Sequence, residues 1–99
     1  MKMLSSREID EIATAAAQAN LTPQIAQRAF SVPTVDSEGQ DALLLTIIIA
    51  PEAVDHIAGK ALLQNLVDTQ RRLQTAGEER HAILSYATEQ ELSDAGHQP

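Results

Sequence analysis

The run Ala42-Leu43-Leu44-Leu45-Thr46-Ile47-Ile48-Ile49-Ala50, closed by Pro51, constrains this chain more than any other stretch, because eight of its nine residues are apolar. A strand with one wet face alternates apolar and polar residues, so an uninterrupted run this short predicts a strand buried on both faces. A chain of 99 residues must then supply two covering layers or share one with another copy. The length suits a single domain over 1–99, since domains cluster at about 100 to 150 residues. With 43% hydrophobic but only 2% aromatic residues, the core is confined to Leu, Ile, Val and Ala. Each large aliphatic side chain stabilises by about 1.5 to 3 kcal/mol when buried, against an ordering cost on the order of 100 kcal/mol. Modest monomer stability, relieved by self-association, is the expectation.

Around that run the elements follow from local signals. Ser5 or Ser6 caps a first helix to about Asn20, with Glu8, Asp10 and Glu11 at its positive end and Ile9, Ile12, Ala13, Ala16 and Ala17 at helical spacing. Thr22 and Pro23 read as the start of a second helix carrying Ile25, Ala26, Ala29 and Phe30 inward, which makes 5–31 a helical hairpin. Ser31 to Val35, with Val32 and Val35 around Pro33, reads as an edge strand, and Asp36 to Asp41 as the turn into the buried strand, with Gly39 free to take positive φ. After a short turn at Pro51 to Ile57, a long helix over Lys60 to Ala76 places Leu62, Leu63, Leu66, Val67, Gln70 and Leu73 on one stripe facing inward, with Asn65, Asp68, Arg71 and Arg72 lying away from it. Gly77 stops it, Ala82 to Ala87 forms a third strand, and Thr88 to Glu91 is a capping box for a last helix. The predicted fold is α/β (α+β), in the order α-α-β-β-α-β-α. It comprises a small three-stranded mixed sheet covered by helices, a 32–94 core and a frayed 95–99 tail.

The formal charge of −7 speaks against nucleic acid and anionic membranes, both of which draw on clustered Lys and Arg. No run approaches the roughly 18 apolar residues of a membrane span, and Met1 to Arg7 leads into a polar amphipathic segment rather than a signal-peptide core. The expectation is a soluble protein of a bacterial-type cytoplasm. Cysteine is absent, which leaves no thiol chemistry and no disulfide framework. Asp36, Glu38 and Asp41 are the candidate metal-binding carboxylates, because paired carboxylates at alternate positions can hold Mg²⁺ for phosphoryl or nucleotidyl transfer. The same residues are also ordinary turn material. His56 beside Asp55 and His81 beside Glu79 and Arg80 are the titratable candidates. No phosphate-cradling or nucleophile motif accompanies them, so no catalytic residue and no cofactor is assigned. Arg71, Arg72 and Arg80 are the candidate partner-binding patch.

The stretch Asp36 to Leu43, the segment Leu73 to Arg80, and Tyr86-Ala87-Thr88-Glu89-Gln90-Glu91-Leu92 together resemble small bacterial proteins that accompany HEPN-domain partners in toxin–antitoxin-like pairs. The likeness covers the C-terminal two thirds of the chain. Some proteins of such pairs resemble minimal nucleotidyltransferases, but the Gly-Ser loop and D-x-D pair of that family are absent here, so no catalytic residue carries over. What the resemblance implies is a protein that binds and restrains a partner. Three readings stand: a non-catalytic interaction or accessory module that is homodimeric, an antitoxin-like subunit neutralising a basic protein or RNase, and a metal-assisted transferase using Asp36, Glu38 and Asp41.

Overall fold

The computed structural model describes residues 3–96; the expected fraying at 97–99 lies outside the described residues. The elements run α1 (Ser6–Leu21), β1 (Ala26–Val35), β2 (Asp41–Ile49), a single 3-10 turn (Pro51–Ala53), α2 (Gly59–Ala76), β3 (His81–Ala87) and α3 (Glu89–Gly96). The architecture is α+β with one three-stranded mixed sheet in the order β1-β2-β3. β1 pairs antiparallel with β2 through a tight hairpin. β2 pairs parallel with β3, as the α2 crossover requires.

α1 begins where the sequence places it. Ser5 accepts a hydrogen bond from the Glu8 amide while the Glu8 carboxylate accepts one from the Ser5 amide, a complete capping box. The helix buries Ile9, Ala13, Ala16, Ala17 and Leu21. The small side chains of its three buried alanines let α1 lie close beside β1, where Asp10 Oδ1 accepts from the Ser31 amide at 2.8 Å and Thr14 Oγ1 from the Ala29 amide at 2.9 Å.

The expected second helix is absent, and with it the hairpin over 5–31. Residues 22–25 form a turn, and the chain enters β1 at Ala26. The cause is a bulge between Ala26 and Arg28, where three residues of β1 stand opposite Ile49 and Ile48. The extra residue sets the buried Ala26 and Ala29 three apart, a spacing that in a bare sequence reads as one helical turn.

Alternate residues of β2, Leu43, Leu45, Ile47 and Ile49, join Ile9, Ala13, Ala17 and Leu21 of α1 and Leu73 of α2 in the hydrophobic core. The other alternate set behaves differently. Ala42 and Ile48 near the strand ends are fully buried, but Leu44 and Thr46 between them are only partly so. Val32, which pairs with Leu44 on one side, and Ile83, which pairs with it on the other, are exposed. Burial on both faces therefore holds at the ends of the central strand and lapses at its middle.

α2 corrects a second expectation. Its buried residues are Asn65, Thr69 and Leu73, whereas Leu63, Leu66 and Val67 are 62%, 38% and 58% exposed. At about 100° per residue, the apolar stripe is turned by roughly 80° from the line that meets the core. Asn65 and Thr69 can occupy that line because their polar atoms are satisfied. Thr69 Oγ1 donates to Asn65 Oδ1 at 3.3 Å and Asn65 Nδ2 donates to the Tyr86 hydroxyl at 3.1 Å. α2 ends at Gly77 in the left-handed conformation, φ 103°. α3 opens on the expected capping box, with the Thr88 amide donating to Glu91 and the Glu91 amide to Thr88 Oγ1.

Candidate interaction surface

The carboxylates of the hairpin turn do not converge. Asp36 Oδ1 accepts from the amides of Glu38 and Gln40 at 2.8 and 2.9 Å, holding the turn closed in the manner of an Asx cap. Those amides, Gln40 first, hold the Asp36 carboxyl below the usual aspartate range, with the His81 imidazole contributing from 3.6 Å. Glu38 and Asp41 are exposed on either side, and no group of three His, Asp or Glu side chains among the described residues is spaced to hold a metal ion. Titration with Mn²⁺ followed by calorimetry is expected to give no saturable heat; a stoichiometric binding curve abolished by Asp36→Asn would reverse that expectation.

The three arginines also part company. Arg71 and Arg72 both pair with Asp68, at 3.2 and 3.0 Å. Asp68 additionally accepts from Asn20 Nδ2 at 2.9 Å, and this bond first, then Arg72, draws its carboxyl below the ordinary value. Arg80 turns inward instead. Its side chain donates to both carboxylate oxygens of the fully buried Glu78, at 2.8 and 3.1 Å, and its amide donates to the same carboxylate at 3.0 Å. Glu78 Oε1 accepts in addition from the Leu4 amide at 2.8 Å, so the pair ties the segment before α1 to the α2–β3 connection. His56 is exposed after the 3-10 turn, away from any such cluster.

Sequence reasoning missed the surface that remains. The outward half of the α2 stripe meets strand β3 in two adjoining open grooves. One, of about 540 Å³, is lined by Leu62, Leu63, Leu66, Ile83, Leu84 and Tyr86. The other lies between Val67, Gln70, Arg71 and Ala82. Neither groove contains a carboxylate, although the chain carries 14 acidic residues against 7 basic. The apolar stripe was legible as a stripe; its direction was not.

The two sheet edges are treated unequally. Along β1, the outward amides of Ala29 and Ser31 are taken up by Thr14 and Asp10, and the next position on that side is Pro33, which has no N–H. That edge offers no free donor over this stretch. Along β3, the amide of Ala82 is turned away from β2 and donates to Gln70 Oε1 at 2.8 Å. By the two-residue period of a strand, Leu84 and Tyr86 face the same way, and no side chain of the described residues caps their amides. An open edge beside exposed apolar residues is a template for another chain.

Among the described residues, no helix is long and apolar enough to cross a membrane. Comparisons with protein-family models, with curated proteins and with solved structures each give no match.

Proposed function

We propose that this protein is a small, non-catalytic, cytoplasmic protein-interaction module that works as a homodimer. The observation that carries this reading is the orientation of α2. An amphipathic helix that turns Asn65, Thr69 and Leu73 to the core and Leu63, Leu66 and Val67 to water has most of its apolar stripe uncovered as a monomer, and becomes ordinary once another surface covers the outward part. The absence of carboxylates from the two grooves favours a neutral, apolar partner over a strongly basic one. This sets self-association ahead of neutralisation of a basic protein or RNase.

Light scattering across a dilution series, from about 100 µM down to about 0.1 µM, tests the reading, because an interface of modest area binds in the micromolar range. The expected result is a dimer at the upper end that dissociates on dilution. Val67→Glu is expected to give a monomer throughout, with its melting temperature near that of the monomeric parent, since Val67 contributes little to the core. A parent that stays monomeric at the highest concentration overturns the proposal.

A further inference from the structure

We infer that two copies of this chain join edge to edge through antiparallel pairing of β3 about a two-fold axis at Ser85, giving one continuous six-stranded sheet with the two α2 helices meeting beside the seam. The inference rests on the homodimeric reading and specifies its geometry.

Three observations lead to it. The first is which edge is left open: β1 is closed by Asp10, Thr14 and Pro33, whereas among the described residues β3 is capped only at Ala82. The second is register. In an antiparallel pair, residues whose backbone faces the partner exchange two hydrogen bonds each with the residue opposite. With the axis at Ser85, Leu84 stands opposite Tyr86 of the other copy, and the reverse. The two uncapped positions of each edge then satisfy each other in four backbone hydrogen bonds. Ala82 falls outside this set, so its bond to Gln70 persists. An axis at Leu84 would instead set Ala82 opposite Tyr86 and require the Gln70 bond to break.

The third observation is the height of α2 along the strand. α2 runs opposite to β3, with Gln70 level with Ala82 and Asn65 level with Tyr86. The helix position level with Ser85 is therefore close to Leu66, with Val67 beside it and Leu63 one turn further along the outward stripe. A two-fold axis brings this part of the helix against its own copy. The backbone register selects the axis, and the outward stripe of α2 lies at the height where that axis would place it.

Charge agrees with a second copy as the occupant. Two bodies of charge −7 repel, and the grooves flanking β3 are free of the carboxylates that would bring that repulsion to the seam. With the axis at Ser85, the five residues Ile83 to Ala87 overlap, and at about 3.3 Å each they give a seam about 17 Å long; a helix of about 10 Å diameter over a sheet gives it a height of about 20 Å. The footprint is then roughly 340 Å² per copy, about 700 Å² in total, the size of a weak, transient contact rather than of an obligate dimer.

The lack of cysteine in the chain makes a clean test available. Opposed residues at a non-hydrogen-bonded antiparallel site have Cα atoms about 4.5 Å apart, within disulfide reach, and Ser85 meets its own copy at such a site. Ser85→Cys is expected to form an interchain disulfide under mild oxidation at concentrations where the parent scatters as a dimer. Ile83→Cys and Ala87→Cys are each expected to cross-link poorly alone and well when mixed, since they stand opposite one another. Amide exchange on the unaltered protein gives a second readout: Leu84 and Tyr86 should gain protection as concentration rises. A dimer in which Ser85→Cys fails to cross-link and these two amides stay unprotected overturns the edge pairing and leaves the homodimer standing. Efficient cross-linking of Ile83→Cys with itself overturns the register. A monomer at every concentration overturns both readings together.

Discussion

Replacing Glu78 by alanine is expected to destabilise the protein by roughly 3–5 kcal/mol, the range for breaking a buried ion pair by removing one partner. Three donors converge on this carboxylate: the Arg80 side chain, the Arg80 amide and the Leu4 amide. Removal of the carboxylate leaves a guanidinium that is about nine-tenths buried facing an apolar methyl group, together with two amides that have lost their acceptor. Against a total stability of about 5–15 kcal/mol for a domain, that cost is a large fraction of what holds the chain folded. Chemical denaturation followed by circular dichroism measures the loss. A loss below about 1 kcal/mol, the usual worth of an exposed ion pair, would show that the pair is hydrated in solution.

The same carboxylate sets the acid limit. Arg80 above all, with its own amide and that of Leu4, lowers the Glu78 carboxyl from an ordinary value of 4.5 to about 2. A group whose folded value is depressed contributes stability that is fully present above its unfolded value and is lost as pH falls through the folded one. At about 1.36 kcal/mol per pH unit, the contribution is about 3 kcal/mol, intact above about pH 4.5 and fading toward pH 2. Asp68 and Asp36 are displaced in the same direction and steepen the decline. In Glu78→Gln the slope of stability against pH between these limits should flatten visibly.

How much of this was legible in the sequence depended on whether the signal was local. Caps and stops were: Ser5, Gly77 and Thr88 act through hydrogen bonds a few residues away, and all three sit where their chemistry predicts. The β2 run and its hairpin turn were legible for the same reason. The first half of β1 was not, because a bulge is a relation between two strands, visible in one of them only as a misplaced period. The Glu78–Arg80 pair was not, and in the sequence Arg80 groups with Arg71 and Arg72 as a surface patch. The i, i+2 spacing at the entry of a strand puts both residues on one side of an extended chain, but nothing local says that this side is the interior. The α2 stripe shows the limit most sharply. Periodicity reveals that a helix has an apolar face, and the direction of that face depends on whether Asn65 finds Tyr86 and on whether the chain has a partner.

That last dependence yields the second large effect, a contrast between two leucines. Leu45 lies at the middle of the central strand with no exposed surface, paired with Ser31 and Leu84, and Leu45→Ala is expected to cost about 3–5 kcal/mol through lost burial and the cavity left behind. Leu63 is the same residue type on the strongest periodic stripe in the chain, yet it is 62% exposed. Leu63→Ala should change monomer stability by no more than about 0.5 kcal/mol, because alanine is at least as good a helix former. Its effect should appear only on association: in a titration by light scattering, the dimer midpoint should move to higher concentration by a factor of about ten, since roughly 1.4 kcal/mol of apolar contact is worth tenfold in affinity. The two variants separate what a hydropathy profile merges, a leucine that holds the chain folded and a leucine that holds two chains together. If Leu63→Ala unfolds the protein as readily as Leu45→Ala does, then α2 faces the other way in solution and the apolar stripe belongs to the core.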